Sequence, residues 1–298
     1  MADRTHEQQD SESSQDVSRR DFVAMSLAAG IVAAAGPASA QGLAVVEKNV
    51  DIKMPDGTCD AVFIHPATGT FPGVLIWADA FGLRPALQAM GKRLAAEGYA
   101  VLVPNPFYRT AKAPVLDMAT FSFTNPTDRA KLQPLMGAVN AAGNPEKDAA
   151  AYVQWLDAQA QVNTSKRIGT QGYCMGGPLV MRTAAALPNR IGAGASFHGG
   201  GLVTATPQSP HLLVPKMKAR MYIGVAINDD ERAPTDKDQL KAAFTAANVS
   251  AEVEVYAKAQ HGWCMSDMPA QAGMPIYSQV DAERAWGKLL ALYKTALA

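Results

Sequence analysis

Two apolar runs, Gly73-Val74-Leu75-Ile76-Trp77 and Ala100-Val101-Leu102-Val103-Pro104, contain no charged position, the pattern of strands buried on both faces. Cys59 to Ile64 alternates instead and predicts an early strand with one face toward water. Between them, Pro85 to Glu97 repeats its apolar residues at helical spacing, and Gly98 supplies the stop. Further along, the pattern predicts a helix over Glu146 to Ala158, a strand over Arg167 to Gln171 and a helix over Leu179 to Leu187. Strands follow at Gly192 to Phe197, Arg220 to Ala226 and Glu252 to Tyr256, with helices over Thr235 to Ala247 and Asp281 to Leu297. Repeated strand and helix elements imply an α/β class with a mostly parallel central sheet and helices on both faces. Only Asn105 to Asn144, rich in Pro, Thr and Phe, lacks periodicity. It is expected to form a loop and short helices over the sheet's edge, where long irregular segments often cover sites.

The first 40 residues break from this scheme. Ser18-Arg19-Arg20-Asp21-Phe22-Val23 precedes an alanine-rich apolar segment from Ala24 to Ala35, and Ala38-Ser39-Ala40 offers a cleavage site. The segment is shorter than the ~20 residues that span a bilayer, so the expectation is a twin-arginine export signal, removed with no stable membrane anchor left. Residues 41–298 would then form one periplasmic domain, with the twin-arginine export machinery as a partner. Removing three of 27 basic and six of 27 acidic residues leaves 24 against 21, a net of +3. That balance gives no reason to expect nucleic acid. Three cysteines, Cys59, Cys174 and Cys264, leave at least one thiol unpaired within a monomer.

One of them stands in a telling place. Gly172-Tyr173-Cys174-Met175-Gly176-Gly177 puts a cysteine between glycines where a strand meets a helix, the layout of a nucleophile elbow with sulfur in place of oxygen. A thiol nucleophile needs a base, and the base needs an orienting acid. Asp229 and Asp230 follow the strand that ends at Ala226, and His261-Gly262-Trp263 follows the strand that ends at Tyr256. Strand ends of this kind are where open α/β sheets hold ligands. Asp229, Asp230 and His261 each taken alone read as turn or loop residues; the ordered set with Cys174 reads as nucleophile, acid and base. The histidines lack metal-ligand spacing, and no cofactor motif is present.

The chain resembles the dienelactone hydrolase family of the α/β-hydrolase superfamily from about Val46 to Leu297. The resemblance rests on Ala78-Asp79-Ala80-Phe81-Gly82, Pro104-Asn105-Pro106-Phe107-Tyr108-Arg109, the elbow, and Tyr256 with His261-Gly262-Trp263. It implies an α/β-hydrolase fold and hydrolysis of a small ester or lactone by Cys174, Asp229 and His261. It further implies an oxyanion hole from the amides of Ala80 and Met175. Asp79 takes the place of an acid that meets the thiol, and Arg109 that of an arginine that holds a substrate carboxylate. Two departures bear on the substrate. The family's acid is usually glutamate, one methylene longer than Asp79, and Trp263-Cys264-Met265-Ser266 offers no second arginine. Tyr108 either lines the pocket or packs, and His198 either lines the crevice or is a hydrogen-bonded loop residue. Cys264 reads as a core thiol. Outside this reading stand a general carboxylesterase on the same scaffold, a non-catalytic binding protein and a thiol redox protein, the last without a Cys-x-x-Cys.

Overall fold

The computed structural model describes residues 42–270 and 273–298. The proposed export signal therefore lies outside the described residues. Eight strands form one sheet: β1 (Val45–Met54), β2 (Gly57–Pro66), β3 (Gly73–Trp77), β4 (Ala100–Pro104), β5 (Ile168–Tyr173), β6 (Ile191–Phe197), β7 (Arg220–Ala226) and β8 (Ala251–Tyr256). Their spatial order is β1-β2-β4-β3-β5-β6-β7-β8. The first three strands in that order pair antiparallel, and all later pairs are parallel. This is the mostly parallel α/β sheet that the periodicity implied, in the α/β-hydrolase fold that the family resemblance implied.

The sheet divides the core in two, and the two-residue period of a strand decides which side chain goes where. Leu75 and Trp77 of β3 point into one cluster with Tyr152, Leu156, Leu179 and Val180. Val74 and Ile76 point into the other with Leu87, Trp286, Leu289 and Tyr293. The first layer uses α3 (Asn144–Asp157) and α4 (Gly176–Ala186); the second uses α1 (Pro85–Ala96) and α7 (Gln279–Ala296). Each large side chain buried this way contributes roughly 1.5–3 kcal/mol. β5 also buries polar Gln171, whose amide donates to Tyr173 Oη at 2.7 Å and whose carbonyl accepts from Tyr293 Oη at 3.1 Å.

Three elements depart from the expected layout. β1 pairs along its whole length with β2, although Val45-Val46-Glu47-Lys48-Asn49-Val50-Asp51-Ile52-Lys53-Met54 carries four charges. It is an edge strand, where charge is tolerated and guards against pairing with other chains. α2 (Pro126–Asn140) occupies part of the segment expected to be irregular. Asn125 caps it by accepting from Thr127 N at 2.9 Å, and Leu132, Leu135 and Val139 are buried. Its internal Pro134 disguises the helical pattern. The chain after β7 also turns at once into a short helix, α5 (Ile227–Arg232), before α6 (Asp236–Ala246). Among the described residues, no helix is long and apolar enough to cross a membrane.

Candidate active site

The elbow between β5 and α4 is shaped by close backbone approaches. A Cβ on Gly172 would stand 2.3 Å from Gly176 O, and one on Gly176 would stand 2.5 Å from Trp77 O at the end of β3. Only glycine permits that packing. Cys174 itself has φ 51°, the left-handed region that non-glycine residues enter at a cost of about 1–3 kcal/mol. Three hydrogen bonds hold it there: Cys174 N donates to Phe197 O at 3.1 Å, and Cys174 O accepts from Gly177 N at 3.1 Å and Gly200 N at 3.3 Å. The consequence is a half-buried thiol at the sheet's carboxyl end.

That thiol meets His261. The histidine backbone N donates to Asn228 Oδ1 at 2.8 Å, which ties the loop after β8 to the first turn of α5. Its Nδ1 lies 2.7 Å from Asp229 Oδ2; because a carboxylate only accepts, Nδ1 carries the hydrogen and Nε2 is left for the Cys174 sulfur. Burial opposes the imidazolium charge, but the hydrogen bonds it donates to Asp229 and Cys174, with the attraction of their negative charges, outweigh burial and raise His261 to about 10. Asp230 faces away and pairs with Lys237 at 2.8 Å. The second oxygen of Asp229 is 2.5 Å from Arg232, whose side chain is largely in solvent.

Ala80 and Met175, from the loop after β3 and the elbow, flank the thiol on elements that Gly176 presses together. Both residues are buried, and neither amide is paired with another protein group among the described residues. Two buried N–H groups are thus left without a protein acceptor among the described residues.

A cavity of about 440 Å³ opens onto this set. Cys174, His261, Asp79 and Ala80 line it together with Phe81, Phe121, Phe123, Asn228, Arg232, Met268 and Ile276. Asp79 does not present a free carboxylate to the thiol. Its oxygens accept from Arg84 at 2.6 and 2.8 Å, and Oδ1 also accepts from Phe81 N at 2.9 Å. Arg84 in turn donates to Asp267 at 2.7 and 3.0 Å. Burial opposes the Arg84 charge, but Asp79 and Asp267 prevail and hold the guanidinium protonated. A short aspartate already satisfied by a buried arginine anchors the loop that presents Ala80, which replaces the thiol-tuning role expected for it.

Arg109 is likewise elsewhere. Its guanidinium donates twice to buried Asp148 at 2.7 Å and to Asp56 at 2.8 and 2.9 Å, and it does not line the cavity. Tyr108 joins the same cluster through a 2.9 Å bond to Asp148, so it packs rather than lining the cavity. The carboxylate-holding role expected for Arg109 is withdrawn: its fork is occupied by two aspartates that lie far away in sequence.

His198 fits neither expectation made for it. It is fully buried with φ 41°, and neither ring nitrogen has a partner among the described residues. Its ring stands edge-on to His261 and to Trp263, with centroids 5.0 Å apart in each case. Burial, assisted by His261, drives its pKa well below 6.5, so it remains neutral and forms a wall behind His261. Cys264 and Cys59 are buried free thiols whose pKa burial raises, Cys59 to about 12.

The chain is similar to known proteins in sequence and in fold. A protein of Methylorubrum extorquens AM1 named "Putative carboxymethylenebutenolidase" is 26% identical over 92% of this chain and 91% of its own length. A carboxymethylenebutenolidase of Rhodococcus opacus is 25% identical over 70% of this chain and 77% of its own. Among solved structures, a dienelactone hydrolase-like promiscuous phosphotriesterase from metagenomic libraries superposes with a TM-score of 0.70 at 21% identity. That match covers 86% of this chain and all of the other. The family model described as "Dienelactone hydrolase family" matches residues 59–297, from β2 through the end of α7, and the chain belongs to that family.

Proposed function

We propose that the protein cleaves esters or lactones through a covalent acyl-enzyme on Cys174, with His261 as the proton carrier and Asp229 as its orienting acid. The broader statement, a dienelactone hydrolase-like hydrolase, rests on family membership. The observation that carries the finer one is His261 held between Asp229 at 2.7 Å and the Cys174 sulfur. In this scheme the sulfur, its proton passed to His261 Nε2, attacks the substrate carbonyl. A C–S bond forms and the carbonyl π pair moves to oxygen, where the amides of Ala80 and Met175 donate to it. Collapse breaks the C–O bond, and the leaving alkoxide takes the proton from His261. Water then gives a proton to His261 as it attacks the thioester; the C–S bond breaks, and acid product and resting thiol return. In a lactone the leaving alkoxide stays tethered to the acyl group.

Cys174→Ala is expected to abolish both turnover of aryl esters and stoichiometric labelling by a thiol alkylator, while Cys264→Ala spares both. Full activity in Cys174→Ala would end the covalent reading. Export through the twin-arginine route belongs to the same proposal: such export carries folded chains, so the thiol would be enclosed before it reached the periplasm. Signal-dependent appearance of the protein in a periplasmic extract tests it.

A further inference from the structure

Resting on that reading, we propose that the site selects neutral esters bearing an aromatic or bulky apolar group and discriminates against substrates carrying a carboxylate. The cavity that holds the thiol is also lined by a trio of mutually edge-on rings: Phe81 to Phe121 at 5.3 Å, Phe81 to Phe123 at 5.5 Å and Phe121 to Phe123 at 4.9 Å. Met268 and Ile276 extend the apolar lining. Phe123 is 47% exposed, a large ring left toward solvent at a cavity rather than in a core. Edge-on aromatic sets of this kind accept a further ring by the same geometry.

Two largely buried arginines are already held by aspartates: Arg84 is bidentate to Asp79 and also binds Asp267, and Arg109, outside the cavity, is held by Asp148 and Asp56. Arg232, which lines the cavity, is 70% exposed and gives Asp229 a single nitrogen. A substrate carboxylate entering the cavity would lose water, would find no guanidinium but that of solvent-exposed Arg232, where an ion pair contributes little, and would lie with the Asp79 carboxylate among its neighbours. Drawing Arg232 to it would also disturb the Arg232 contact with Asp229, the residue proposed to orient His261. Charge selection and catalysis thus oppose each other here, whereas an apolar ring meets only apolar walls.

The test compares phenyl acetate with 4-acetoxybenzoate, which adds a carboxylate to the same ring, and vinyl benzoate with its 4-carboxylate, which does so on the acyl side. Vinyl acetate reports the chemistry without a ring. The kcat/KM of the neutral member, corrected for the uncatalysed rates, is expected to exceed that of the charged member by about 10- to 100-fold in at least one pair, as loss of a charged hydrogen-bond set predicts. In Phe123→Ala, whose melting temperature is checked in parallel, the ratio of ring-bearing to vinyl acetate kcat/KM is expected to fall about 10-fold. Equal or faster turnover of both carboxylates, or an unchanged ratio in Phe123→Ala, would overturn the selectivity while leaving the nucleophile reading intact. Absence of vinyl acetate turnover in the wild type, with no alkylation of Cys174, would overturn the reading beneath it.

Discussion

Asp229→Asn isolates the proposed orienting acid, because it keeps the side chain's size while removing the charge beside His261. In the structure, Asp229 Oδ2 accepts from His261 Nδ1 at 2.7 Å, while Oδ1 pairs with a solvent-exposed Arg232 whose loss matters little to stability. A hydrogen bond to a charged group contributes about 1.5–3 kcal/mol. At about 1.36 kcal/mol per decade that is a 10- to 100-fold effect, and an asparagine that donates to Nδ1 would reverse the tautomer and strip Nε2 of its base character as well. Turnover should therefore drop by about 10²-fold or more. Asp230→Asn breaks only the pair with Lys237 and should stay within a few-fold of wild type. The pH profile gives a second check. His261 is raised to about 10, so its proton is present below that value and lost above it. The alkaline limb of wild-type kcat/KM should lie near pH 10, and in Asp229→Asn it should move toward the ordinary histidine range of about 6.5. The stabilisation that accompanies this shift is full below pH 6.5 and disappears as pH rises through 10, so the melting-temperature gap between wild type and Asp229→Asn should narrow over that window. If Asp230→Asn proved the more damaging variant, or the alkaline limb did not move, the assignment of Asp229 would fail.

Three further outcomes are expected. Arg109→Met strands the carboxylate of Asp148 in the interior and should cost about 3–5 kcal/mol in denaturant unfolding, with the ratio of neutral to carboxylate substrate rates unchanged; a specific loss on carboxylates would restore the discarded role. Gly176→Ala forces a methyl to within 2.5 Å of Trp77 O and should abolish activity or soluble expression, so a fully active variant would contradict the elbow geometry. His198→Phe retains the ring behind His261 and should keep kcat within a few-fold, whereas a large loss would require a hydrogen bond from His198 that its surroundings do not offer.

Local chemistry explains what could be read from the chain and what could not. β3 and β4 were legible because layers on both faces demand unbroken apolar runs. The elbow was legible because its close backbone contacts require glycine at 172 and 176. β1 was hidden by Glu47, Lys48, Asp51 and Lys53, which an edge strand tolerates, and α2 by Pro134. The partners of charged side chains were hidden more deeply. Arg109 follows the same motif whether it faces a substrate or an aspartate, and Asp148 lies 39 residues away. Arg84 reaches Asp267 across 183 residues, a pairing that no local spacing reveals. The Phe121 and Phe123 wall lay in the segment without periodicity, where aromatic content was visible but its direction was not.

The central claim is that the acyl group is carried by the Cys174 sulfur. Mass spectrometry of the intact wild-type protein, acid-quenched within the first turnovers of an activated ester, measures this directly. The account predicts one acyl group per chain, located on the peptide that contains Cys174 and absent from the Cys174→Ala variant. An acyl group on another residue, or undiminished ester turnover by Cys174→Ala, would contradict it.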